Sequence, residues 1–145
     1  MAIFNKFNNF VKDMAEGVHT LNTDTLSVYL TNAAPDAVLD LVKADLAEIV
    51  AGGGYTGPVA LTLVTSVLNV ATYELAAADL TAAGAGAMVT ATGAIGPFQH
   101  VILYNSGTVV KVGPLIGYWS YASPITMAAG ETFEVDFGVT ILTNT

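Results

Sequence analysis

From Tyr55 to Leu142 the chain is a succession of short apolar and β-branched runs, each cut by a turn signal before it grows long. Val59–Asn69 is rich in Val, Leu and Thr. Phe98–Asn105 is the strongest run and ends in Asn105-Ser106-Gly107. Val109–Val112 and Leu115–Tyr121 follow, separated by Gly113-Pro114. Runs of this length, composition and spacing specify strands joined by tight turns. Ala71–Ala77, Met88–Thr92 and Val139–Leu142 are weaker strands, with 79–86 as a loop between the first two. Thr132–Phe137 alternates strictly, with Phe133, Val135 and Phe137 on one face and Thr132, Glu134 and Asp136 on the other. The expected fold is mainly β: a single β-sandwich or jelly-roll-like domain over residues 1–145.

Helices are expected only ahead of Tyr55. Phe4, Phe7, Phe10 and Met14 recur at helical spacing, and Gly17 offers a stop. Residues 1–17 are thus expected to be an N-terminal helical arm. Its phenylalanine stripe either covers one side of the chain's own core or docks on a neighbouring subunit, which makes Phe4, Phe7 and Phe10 the candidate interface residues. Thr25–Leu30 alternates as a half-buried strand, Leu26, Val28 and Leu30 facing one way and Thr25, Ser27 and Tyr29 the other. Pro35 breaks it. Asp36–Val50 then has the apolar spacing of a helix with Asp36 as N-cap. A bend near Lys43–Asp45 would divide it into two, and Gly52-Gly53-Gly54 ends it.

Composition narrows the function classes. Only 11% of residues are charged, against 53% hydrophobic, where ordinary soluble domains carry about 25% charged residues. Such a surface is either weakly charged or covered by a partner. The charge is also lopsided, with twelve acids, four lysines, no arginine and a net charge of −8. Phosphate neutralisation and bidentate base reading both need basic side chains, so no direct nucleic-acid binding is expected. An anionic membrane surface is disfavoured for the same reason. The most apolar stretches are too short or too interrupted to span a bilayer. Met1–Met14 carries Asn5, Lys6, Asn8, Asn9, Lys12 and Asp13 in place of the continuous apolar run of a signal peptide, so secretion by the standard route is not expected.

No set of residues assembles a catalytic or cofactor site. The chain has no cysteine, and His19 and His100 each lack a second histidine at metal-ligand spacing. Asp36, Asp40, Asp45 and Glu48 are expected to form the solvated face of their helix. Glu134 and Asp136 share one strand face and are candidates to flank a cation or a sugar, or simply to make an exposed edge acidic. Gly52-Gly53-Gly54 follows a helix rather than opening one, and Gly84 and Gly86 form no phosphate-binding pattern. Tyr104, Tyr118, Trp119 and Tyr121 lie on the two central strands, as core anchors or as a stacking platform for a carbohydrate ring. The chain is therefore expected not to be an enzyme and to need no cofactor or metal.

Five groups of segments, in order, carry a resemblance. They are Asp24-Thr-Leu-Ser-Val-Tyr-Leu-Thr-Asn32 with Ala34-Pro35; Ala44-Asp-Leu-Ala-Glu-Ile49 running into Gly52-Gly-Gly-Tyr-Thr56; Ile95-Gly-Pro-Phe98 with Val101-Ile-Leu-Tyr-Asn105; Pro114-Leu-Ile-Gly-Tyr-Trp119; and Gly130-Glu-Thr-Phe-Glu-Val-Asp-Phe137. Together, over residues 4–142, they resemble a family of small proteins encoded by tailed phages and prophages, some of which act as head decoration or cement proteins. The resemblance implies a homotrimer on the outer surface of the virion, binding the lattice of the major capsid protein and stabilising the head. It carries no catalytic residues. A tail, fibre or head–tail joining subunit is the alternative virion role, and a carbohydrate- or host-surface-binding β-domain the alternative outside it.

Overall fold

A computed structural model describes residues 2–69, 72–81, 84, 86–138 and 140–144. The chain is mainly antiparallel β, with two layers packed as a sandwich-like domain. The principal sheet has five strands in the order β1-β8-β7-β2-β3: β1 Phe4–Lys6, β2 Leu26–Thr31, β3 Val59–Ala60, β7 Ile95–Asn105 and β8 Leu115–Met127. Its centre is the long β7–β8 hairpin, and Tyr29 of β2 lies opposite Ile102 of β7. The second layer is the three-stranded sheet β10-β5-β4, made of β4 Leu63–Asn69, β5 Thr72–Ala77 and β10 Leu142–Asn144. Beside it lies a small pair, β6 Val89–Thr90 and β9 Thr132–Phe133.

The main core lies between the layers. Leu26, Val28, Leu30, Val101, Leu103 and Ile116 of the principal sheet meet Leu75, Leu80, Val89, Phe133, Val135 and Phe137 from the second. The alternation of Thr132–Phe137 is kept in full: Phe133, Val135 and Phe137 are buried, while Thr132, Glu134 and Asp136 are exposed. The single run expected over Val59–Asn69 is two strands, because its first two residues pair with β2 and its last seven with β5. The chain changes layers between them. Of the weaker strands, Ala71 and Val139 lie outside the described residues, as do Ala82, Ala83 and Ala85 of the expected loop.

The structure corrects three local expectations. First, Phe4 belongs to a strand, and the helix α1 spans only Asn9–Ala15. Phe4 lies opposite Trp119, with ring centroids 4.9 Å apart. Gly117 makes this possible. A Cβ there would collide with the Phe4 ring and come within 2.7 Å of the Asn5 carbonyl oxygen. Gly117→Val is expected to peel β1 from the sheet and to lower stability by about 1–3 kcal/mol, read from a urea denaturation midpoint. Gly17 ends α1 as expected, at φ +72°.

Second, residues 36–50 are not a helix; one 3-10 turn, Lys43–Asp45, interrupts an irregular segment. Asp36 and Asp45 are exposed, as expected of them, and they also hold the backbone. Asp36 Oδ1 accepts from the N–H groups of Val38 and Leu39, and Asp45 Oδ2 from those of Leu41 and Val42. Aspartates that bond nearby backbone N–H groups favour turns over helix. The segment crosses the outer face of the principal sheet and makes a second, smaller core from Phe7, Tyr29, Leu46, Ile102, Tyr104 and Leu115. β2, expected to be half-buried, is therefore buried along its whole length. Its edge is closed where Leu30 receives Ile49 N–H on its carbonyl and donates its own N–H to the Tyr55 hydroxyl. Third, Val109–Val112 is not a strand but part of the exposed loop joining β7 to β8.

Candidate interface surface

The loop that joins β7 to β8 gathers several chain segments around it. Leu115 N–H donates to the Leu41 carbonyl, Lys43 N–H to Gly113, and Asn8 N–H to Ala37. Lys111 reaches α1, its Nζ 2.8 Å from Asp13 Oδ2. This end of the sandwich thus combines α1, residues 36–43 and the 106–114 loop. Val11, Val38, Leu39, Leu41, Val109, Val110 and Val112 are all exposed on these elements. Val109 is 98% exposed and Val112 91%. Elsewhere among the described residues, the exposed large hydrophobics are Ile3, Val50 and Val64. The exposed apolar side chains are therefore concentrated, and concentration is what separates an interaction surface from ordinary scatter.

Charge follows the same division. Three of the four lysines, Lys12, Lys43 and Lys111, lie on the elements at this end, and Lys6 is the last residue of β1. Lys12 pairs with Glu16 at 3.8 Å, Lys43 with Glu48 at 2.7 Å and Lys111 with Asp13. Asp36, Asp40 and Asp45 accept backbone N–H bonds. Two such bonds, from Leu41 and Val42, hold the Asp45 carboxyl below its ordinary range. The second layer and its turns carry Glu74, Asp79, Glu131, Glu134 and Asp136 and no lysine. One end therefore gathers exposed apolar side chains and ion-paired lysines, and the second layer carries acids without a lysine.

The Asp13–Lys111 pair fixes the exposed loop to the core. Asp13 is buried and also accepts from Asn9 Nδ2 at 2.7 Å. Lys111→Ala leaves a buried carboxylate with Asn9 alone and frees the loop from α1. The expected loss is about 1.5–3 kcal/mol of stability, measured by denaturant unfolding at neutral pH.

The candidates named from the sequence fall elsewhere. Phe7 and Phe10 are buried in the chain's own two cores, and Phe4 is half-covered against Trp119. They do not form one stripe, because a strand precedes the helix. Trp119 is only 5% exposed and packs on Phe4 and Phe137, so it offers no open face to a sugar ring. A cavity of about 250 Å³ does bring Trp119 and Tyr121 beside Glu134 and Asp136. Tyr104 is buried and Tyr118 half-buried, both in the smaller core. Gly52 and Tyr55 close a turn on each other. Among the described residues, no three His, Asp or Glu side chains cluster closely enough to hold a metal ion. No helix there is long and apolar enough to cross a membrane.

No family model, curated protein or solved structure matches this chain. The surface must therefore be read from its own chemistry.

Both histidines are buried. His100 Nδ1 lies 2.8 Å from the Ser120 hydroxyl. His19 stacks near Phe10 and lies 3.2 Å from Asn105 Nδ2 through its own Nδ1. Burial is the main cause that holds both imidazoles below their ordinary value of 6.5. For His19, Asp13 and Asp24 pull upward and Lys111 downward. A lowered folded value means that the unfolded chain binds more protons in the window below 6.5. Stability is thus fully present above that value and is lost as pH falls through it. Denaturation midpoints are expected to be flat from pH 8 to 7 and to decline below about 6.5, with His19→Asn and His100→Asn each reducing the decline.

Proposed function

We propose that this chain is a virion structural protein, a capsid decoration or cement subunit that seats the β7–β8 loop end on the outer surface of a major capsid protein lattice. The observation that carries the reading is the concentration of exposed Val and Leu at one end, where Lys12, Lys43 and Lys111 are ion-paired and Asp36, Asp40 and Asp45 accept backbone N–H bonds. Exposed valines and leucines gathered in this way can be desolvated against a protein at little polar cost. The acidic opposite layer would then face outward. With a net charge of −8 and three of the four lysines already paired, the chain is poorly suited to grip packaged nucleic acid. The order of segments that resembles the phage family supports the same role, and the implied homotrimer would repeat one modest contact around a symmetry axis.

The test is imaging of purified virions made with and without the protein. Regular density on the capsid surface, present only with the protein, is the expected result. Density confined to the tail, or none on the particle, refutes the reading.

A further inference from the structure

Asn105, at the end of β7, joins His19 to the exposed loop. Its Oδ1 accepts the backbone N–H groups of Gly107 at 2.9 Å and Thr108 at 3.0 Å, which fixes the loop's first turn. With its oxygen so engaged, Asn105 turns Nδ2 toward the Asp24 carboxylate at 2.5 Å and His19 Nδ1 at 3.2 Å. Asp24 Oδ2 also accepts from Thr20 N–H at 2.7 Å. The amide is thus held from both ends. Nδ2 donates, so His19 Nδ1 must accept, and the imidazole proton resides on Nε2. Nε2 is buried and has no hydrogen-bond partner among the described residues. The site keeps His19 neutral in one tautomer and leaves its N–H unsatisfied. That is an unusual arrangement for a buried ring.

We propose that protonation of His19 is a latch release for the 106–114 loop. A proton added to Nδ1 converts an acceptor into a donor facing the Asn105 amide nitrogen. Two N–H donors then oppose each other. If the amide flips to offer Oδ1 to His19, it sets Nδ2 against the N–H groups of Gly107 and Thr108 and an oxygen against Asp24. If it does not flip, it must withdraw. Either movement removes the Asn105 bonds to Gly107 and Thr108; Gly107 N–H keeps the Thr25 carbonyl and Lys111 keeps Asp13, so the release starts at Thr108, next to Val109 and Val110.

The groups facing His19 are Asp13 and Phe10 from α1, Asp24 and Asn105 from the two ends beside it, and Lys111 from the loop itself. The two carboxylates supply the attraction that admits a proton. Burial and Lys111 oppose it, which places the release on the acid side of neutrality. His100 provides an internal contrast. Its partner is the Ser120 hydroxyl, which donates or accepts by rotating, so its protonation demands no rearrangement. The latch stands whatever the surface binds; only its consequence for docking rests on the function proposed above.

The experiment uses the full chain. Nitrogen-15 NMR follows the His19 ring through an acid titration while amide exchange at Gly107 and Thr108 is measured and normalised to intrinsic rates. At neutral pH, Nδ1 is expected to be unprotonated. As His19 titrates, protection at Thr108 is expected to fall at least tenfold, with a smaller fall at Gly107, whose N–H also reaches the Thr25 carbonyl, while strand amides in β2 stay protected. His19→Asn keeps an acceptor toward Asn105 and cannot titrate, so it should abolish the fall; His100→Asn should preserve it. The proposal is overturned if Nδ1 carries the proton at neutral pH, if His19 titrates with no change at Thr108, or if the loss persists in His19→Asn. It is also overturned if His19 takes up no proton before the fold is lost. Should His19→Asn fail to fold, the wild-type titration still decides.

Discussion

Phe7→Ala is expected to cost about 3–5 kcal/mol of folding stability. Phe7 is fully buried and packs on Tyr118 with ring centroids 5.0 Å apart, within the small core that also holds Tyr29, Leu46, Ile102, Tyr104 and Leu115. That core lies under an irregular segment rather than a second sheet. The segment is held by a few specific bonds, such as Tyr29 hydroxyl to the Leu46 carbonyl at 3.1 Å and Thr31 hydroxyl to the Ala47 carbonyl at 2.6 Å. A cavity left by the ring would loosen the irregular segment on the principal sheet, where Phe7 also marks the crossing from β1 to α1 and its N–H donates to the Ile116 carbonyl. Domains of this size are stable by only about 5–15 kcal/mol, so the variant should lie near the edge of folding. Urea denaturation measures the loss. A cost under about 1 kcal/mol would mean that Phe7 is not a core residue and would restore the expectation of an outward-facing arm.

The second large effect is on binding. Val109→Asp with Val112→Asp is expected to weaken attachment to capsids at least 100-fold while leaving the denaturation midpoint nearly unchanged. Both valines are almost fully exposed, and surface substitutions of that kind usually alter stability by less than about 0.5 kcal/mol. In a desolvated contact, each new carboxylate would be buried without a partner, at a cost of roughly 2–5 kcal/mol. Binding is read by co-sedimentation with capsids prepared without the protein. Unchanged binding by the folded double variant would remove this end of the molecule from the contact.

Much of the β framework was legible because strand alternation is a local signal. Thr132–Phe137 buries the face that its pattern marks, and the β7–β8 hairpin follows the strongest apolar runs. What sequence hid was decided by distant partners. Phe4, Phe7 and Phe10 have helical spacing, yet pairing of Phe4 opposite Trp119, which the missing side chain of Gly117 permits, starts the chain as a strand. Tyr29 reads as the exposed side of a half-buried strand until residues 36–50 cover it. Those residues have helical spacing too, but Asp45 accepts from the N–H groups of Leu41 and Val42, which precede it in the chain, and so closes a turn that a helix would not contain. Val109–Val112 has strand-like composition without a strand to pair with.

The surface was legible only as a composition, too few charges for the apolar content, and not as a place. Residues 36–43 and the 106–114 loop are joined because Val42 bridges to Pro114. The Asn105-Ser106-Gly107 turn was plain in the sequence, but its tie to His19 joins residues 86 positions apart, and no local pattern points to it.

The proposed role depends on contact through the β7–β8 loop end. Hydroxyl-radical footprinting of the free protein and of the protein bound to capsids tests that most directly. The account predicts protection on binding at Val38, Leu39, Val109, Val110 and Val112, with the exposed side chains of the acidic second layer still labelled. Protection confined to the second layer, or labelling identical in the two states, would contradict it.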